Sequence, residues 1–192
     1  SREVQQIMLL AVPIIFVILI LTTDSWFEPV LFMITIGVAI LLNRGTNLMF
    51  GTISFVTNAA GSVLQLAVSM DYSIFLLHRF AENRSSGLPV EKAMTEAVQQ
   101  SVGSILSSGL TTVTGFLALV LMRFKIGPDM GWVMSKAIAF SLLSVLCFLP
   151  ALAIATYRLI DRTQHRSFVP KFDKFAAVVM KIRFPVLALI VL

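Results

Sequence analysis

Of the 192 residues, 57% are hydrophobic and only 13% charged, with a mean hydropathy of +0.91, a composition that excludes a soluble globular domain, where about a quarter of residues are charged. Lipid leaves no backbone polar group unsatisfied, and the apolar runs are continuous rather than alternating, so the expected fold is all-α, a polytopic membrane helix bundle, and not a β-barrel. The net charge of +5 does not point to nucleic acid, because most basic residues flank apolar helices, where anionic headgroups and the positive-inside rule account for them.

Crossing ~30 Å of hydrocarbon takes about 20 mostly apolar residues at 1.5 Å each, and by that measure the chain reads as five spanning helices and the start of a sixth. The first covers about Val4 to Leu21 with a kink at Pro13, and the short turn TTDSWFEP makes it an antiparallel neighbour of the second, about Trp26 to Leu42. NRGTNLMFGTISFVTN is too polar to span and too apolar for a free loop, and is expected to be interfacial or re-entrant. The third span, about Ala59 to Leu77, runs into the charged segment HRFAENRSSGLPVEKAMTEAVQQ, with a turn at Gly87 and Pro89 followed by an amphipathic helical stretch. The fourth covers about Ser101 to Met122. The fifth, about Met130 to Tyr157, contains Pro150 and Cys147, the latter expected to be a small buried packing residue. The mixed charges and aromatics from Tyr157 to Phe184 suit a helix lying on the membrane surface.

These segments divide the chain into a five-helix bundle at 1–157, a basic amphipathic linker at 158–184 and a truncated span at 185–192. It begins at Ser1 without a methionine or a recognisable signal peptide and stops inside the run PVLALIVL, and so reads as a fragment. Ten basic residues fall on the side of the His78–Glu96 loop and the Arg158–Arg183 linker and four on the other, which places loop and linker in the cytoplasm and the N-terminus outside.

Function in such a chain is expected at ionisable residues inside the spans, which the bilayer penalises by ~2.5 to 3.5 kcal/mol each. Two qualify, Asp71 and Lys136. Asp71 lies about ten residues, ~15 Å, into its helix and hence near the mid-plane. A carboxyl held there can take a proton from one side and release it to the other; the alternative is a packing pair with a neighbouring helix. Tyr72 offers that carboxylate a hydroxyl, or is simply a core aromatic. Lys136 either pairs with Asp71 or extends its ammonium into an external vestibule. Ser108, Thr111 and Thr112 in the fourth span are further relay partners, unless their small side chains serve only close helix packing.

His78 and His165 stand apart in charged segments, so no metal cluster and no cofactor are expected. The serines of GSILSSGLTT have no intramembrane base and Asp71 no second acid beside it, which argues against a protease; the chain is not read as an enzyme.

The runs LQLAVSMDYSIFLLHRFAENRSSG, SILSSGLTTVTGFLALVLMRF and DMGWVMSKAIAFSLLSVLCFLPAL resemble the second to sixth helices of the MMPL transporters, a branch of the resistance-nodulation-division (RND) superfamily. The resemblance covers nearly the whole chain, and its most specific element is the Asp-Tyr pair in SMDYSIFLLHRF. It implies that Asp71 and Tyr72 are proton-relay residues in a proton-driven exporter of lipids, lipid-like amphiphiles or hydrophobic drugs across the cytoplasmic membrane. It also implies two six-helix halves with large extracytoplasmic porter domains, of which this chain is the N-terminal half without its first helix or porters. The implied partners are membrane lipids, protons, the hydrophobic cargo and a second half carrying its own Asp-Tyr helix, with a homo-oligomer as a further arrangement. A lipid- or sterol-sensing module, or a secretion accessory of the same superfamily, is the alternative.

Overall fold

The computed structural model describes residues 13, 14, 16–20, 23, 25–47, 53–124 and 126–164. Five helices follow one another: α1 (Glu28–Asn47), α2 (Phe55–Ser85), α3 (Val90–Ala118), α4 (Ile126–Leu143) and α5 (Leu149–Arg162). Leu119–Leu121 extends α3 as a 3₁₀ turn, and a π-helical turn at Ser144–Phe148 joins α4 to α5. Residues 16–20 are also helical. Among the described residues, four helices are long and apolar enough to span a membrane: Glu28–Asn47, Phe55–Ser85, Val90–Leu121 and Ile126–Arg162. They correspond to the second to fifth expected spans. Most of the first, all of the sixth and the linker beyond residue 164 lie outside the described residues.

Local chemistry sets the helix ends. Glu28 and Pro29 open α1, where an acid faces the positive end of the helix dipole and proline gives up no internal hydrogen bond. At the end of α2 the Gly87 amide donates to the Arg84 carbonyl and the Leu88 amide to that of Asn83, closing a Schellman turn. Gly87 sits there at φ 87°, a conformation that glycine adopts without strain. Pro150 lies in the first turn of α5; its ring crowds the carbonyl four residues earlier, which accounts for the wide turn just before it.

Several expected boundaries differ, among them the end of α2, which runs past Leu77 to Ser85 and so carries His78 on the helix. α1 continues to Asn47, so 43–47 belong to that helix rather than to a separate segment after it, because Asn43 and Asn47 find partners inside the bundle, and α2 already begins at Phe55. The amphipathic stretch after Gly87 and the fourth span are one helix from Val90. The last helix runs past Tyr157 to Arg162. Cys147, expected to be buried, is exposed, carried outward on the π turn; a thiol is apolar enough to face lipid.

α4 is the central element, in contact with α1, α2 and α3. Phe32 and Ile36 of α1, Leu66 and Leu76 of α2, Ile105 of α3 and Ile138, Leu142 and Val145 of the last span belong to one buried cluster. α3 and α4 approach closely: a Cβ on Gly131 would lie 2.8 Å from the Phe116 carbonyl oxygen. The start of α1 is tied to the end of α5, since the Trp26 amide donates to the Thr163 carbonyl (3.1 Å) and the Ser25 and Thr163 hydroxyls are 2.7 Å apart. Arg84 and Asp161 form a 2.6 Å ion pair at the same end of the bundle.

Candidate functional site

Asp71 sits near the middle of α2, sixteen residues from Phe55 and fourteen from Ser85, or ~24 and ~21 Å along the axis. Its side chain is exposed and makes no hydrogen bond or ion pair with the described residues. It therefore looks out of the bundle, on a stripe with Ala67, Phe75 and His78, all exposed, at the three- and four-residue spacing of one helix face.

Tyr72, the next residue, turns inward and is 8% exposed, and its hydroxyl is 3.5 Å from the Ser108 hydroxyl on α3. The two helices run antiparallel here and border an open groove of about 180 Å³ lined by Tyr72, Phe75, Ser104, Ile105 and Ser108. Among the relay residues expected from sequence, Tyr72 and Ser108 are the ones brought into contact.

The others are satisfied elsewhere. Thr111 and Thr112 donate to the carbonyls of Ser107 and Ser108 in their own helix, at 2.8 and 2.9 Å. The Lys136 ammonium donates to the side-chain oxygen of Asn47 and to the Asn43 carbonyl (3.4 Å), both on α1, and not to Asp71. Lys136 leaves α4 on the side that meets α1, whereas Asp71 leaves α2 toward the exterior.

That pairing exposes a polar layer that sequence reading missed. The Asn43 amide donates to the Gln65 side-chain oxygen (3.3 Å), and the Gln65 amide donates to the Ala137 carbonyl (3.2 Å). One turn further along α2, the Ser69 hydroxyl donates to that of Ser141 at 2.7 Å. Gln65 and Ser69 are fully or almost fully buried, and the side-chain oxygen of buried Asn43 has no partner among the described residues. The available signal was spacing: Asn43 and Asn47, and likewise Gln65 and Ser69, stand four apart, on one face of an otherwise apolar helix. A second missed residue is Asp129, whose carboxylate accepts from the Ser54 amide (3.0 Å) and the Thr57 hydroxyl (2.8 Å) and so caps α2 from the first turn of α4. Among the described residues no group of three or more histidine, cysteine or acidic side chains is placed to hold a metal.

Comparison with known proteins gives this arrangement a family. The model of the MMPL family matches residues 1–172. The putative membrane protein MJ1562 of Methanocaldococcus jannaschii is 32% identical over 145 residues, 75% of this chain and 37% of that protein. The mycolic acid-containing lipids exporter MmpL11 of Mycolicibacterium smegmatis is 29% identical over 124 residues, 65% of this chain and 12% of that protein. Protein translocase subunit SecD of Haemophilus influenzae is 27% identical over 128 residues, 66% of this chain and 20% of that protein. The chain thus spans well under half the length of these relatives. No solved structure matches it. A family match over nine-tenths of its length, on a bundle of apolar helices long enough to span a bilayer, makes this chain a multi-pass membrane protein of the MMPL family.

Proposed function

We propose that this chain forms half of the membrane domain of a proton-driven exporter of lipids or other hydrophobic amphiphiles in the cytoplasmic membrane, with Asp71 as the group that takes up and releases the proton. One observation carries the reading: a carboxylate lies midway along an apolar spanning helix, next to a tyrosine hydrogen-bonded to the neighbouring helix. Facing acyl chains, an ionised carboxylate would cost ~2.5 to 3.5 kcal/mol, so the Asp71 face calls for a protein cover. A second half with its own Asp-Tyr helix, or another copy of this chain, would supply one, and the groove between Tyr72 and Ser108 is where its side chains would enter. Protonation neutralises Asp71 and removes its attraction to polar groups across that contact, which gives the two halves two preferred arrangements. The charge asymmetry of the loops supports a cytoplasmic location for the Arg84–Asp161 end. MmpL11, a lipids exporter by its name, supports the cargo class.

The decisive experiment replaces Asp71 with Asn in the full-length protein. Gradient-dependent export is lost while membrane expression is retained; export that still follows the pH gradient refutes the assignment. The similarity to a translocase subunit favours a second reading, a secretion accessory, in which Asp71→Asn leaves lipid flux untouched and alters partner binding instead.

A further inference from the structure

Below Asp71, toward the Arg84–Asp161 end, the bundle is not closely packed. A cavity of about 20 Å³ lies between the start of α1 and the lower half of α2, walled by Thr23, Glu28, Phe32, Ile74, His78 and Ala81. That is room for one water. A second cavity, of about 290 Å³, lies on the other side of Glu28 and Ala81, which wall both, and is lined further by Arg84, Ser85, Asp161 and Gln164. Ser85, Asp161 and Gln164 are exposed, so this larger space reaches the end of the bundle.

Two titratable side chains stand along the route without a part in the site described above. Glu28 is only 8% exposed although it borders both cavities, and His78 lies on the same stripe of α2 as Asp71, seven residues on. Seven residues are ~10.5 Å of rise, three to four hydrogen-bond lengths, and Ile74 brings the small cavity within one turn of Asp71. The charged or titratable groups lining the two cavities are Glu28 from α1, His78 and Arg84 from α2 and Asp161 from α5; Arg84 and Asp161 already neutralise each other.

We propose that His78 and Glu28 form the arm of the proton path between Asp71 and the Arg84–Asp161 end of the bundle. This rests on the reading of Asp71 as the proton carrier and adds the groups that serve it. The imidazole accepts a proton at one ring nitrogen and releases one from the other, and the Glu28 carboxylate passes it through the larger cavity to bulk water. Each step breaks and forms only a bond to hydrogen.

The test uses the full-length protein in phosphatidylcholine vesicles enclosing a pH-sensitive dye, with Nile red as the amphiphilic probe and an imposed pH step. Glu28→Gln and His78→Ala each slow probe-dependent proton flux by at least roughly tenfold, with the helical content at the assay temperature and the probe concentration for half-maximal rate unchanged. Glu28→Asp restores flux, and 4-methylimidazole, entering the space that the exposed His78 ring vacates beside the small cavity, restores it in His78→Ala. A merely structural role is not rescued by a soluble base. Asp71→Asn is measured beside them: if it leaves flux intact, the reading of Asp71 itself fails. If Asp71→Asn abolishes flux while the Glu28 and His78 variants conduct normally, or are slowed without rescue, the conduit is overturned and the carrier stands.

Discussion

Gln65→Leu tests whether the polar layer between α1, α2 and α4 holds the bundle together. Gln65 is fully buried, accepts from Asn43 and donates to Ala137. Leucine has a similar volume, so the substitution leaves little cavity. The Ala137 carbonyl keeps the Ser141 hydroxyl at 3.0 Å, so losing the Gln65 amide leaves it satisfied. Asn43 fares worse, since its side-chain oxygen already has no partner among the described residues and its amide now loses its acceptor. Two hydrogen bonds within a membrane bundle contribute ~0.6 kcal/mol each, and a buried amide left unsatisfied costs ~1 to 3 kcal/mol. Removing the glutamine from an apolar setting returns ~1 kcal/mol. The expected net loss is ~1 to 3 kcal/mol, read as the shift in SDS- or heat-induced unfolding followed by circular dichroism in detergent. Adding Asn43→Leu removes the orphaned amide as well, so the double variant is more stable than the sum of the singles by at least ~1 kcal/mol. A Gln65→Leu protein within ~0.5 kcal/mol of the parent, or strictly additive singles, refutes the reasoning.

Further outcomes follow from the same geometry. Asp129→Ala uncaps α2 and costs ~0.5 to 2 kcal/mol, with faster amide hydrogen exchange confined to the first turn of that helix. Gly131→Ala drives a methyl against the Phe116 carbonyl, a backbone atom that cannot rotate away, and lowers stability by ~1 to 3 kcal/mol; an unchanged melting temperature contradicts the close approach. Breaking the Arg84–Asp161 pair costs no more than ~1 kcal/mol because both side chains are partly exposed, and a double-mutant cycle shows the coupling shrinking as salt is raised.

How far the sequence could be read depended on whether a feature is local. The Gly87–Pro89 turn and the apolar runs depend on neighbours in the chain, and the turn and the second to fifth runs have their counterparts among the described residues. The sequence named Ser108 only among the hydroxyls around Asp71; its contact with Tyr72 follows from α2 and α3 lying as antiparallel neighbours joined by a short turn. The partner of Lys136 was not legible, because it depends on the rotation of α4 about its axis, which is fixed by packing against three helices at once. Asn43 and Asn47 were misread for a related reason: asparagine in isolation favours loops, and only the buried partners on α2 and α4 make it tolerable in a spanning helix. The exposure of Cys147 follows from a π turn that shifts the helical phase by a residue, and the one cue to it was Pro150.

The threonines of α3 bear on how anything can move along that helix. Thr111, Thr112 and Thr114 each fold their hydroxyl back onto a carbonyl three or four residues earlier. None of these three threonine hydroxyls is left as a dangling donor that an adjoining helix must match. A helix leaning against these threonines need offer them no acceptor, which leaves it freer to slide along α3 than a face of unpaired donors would.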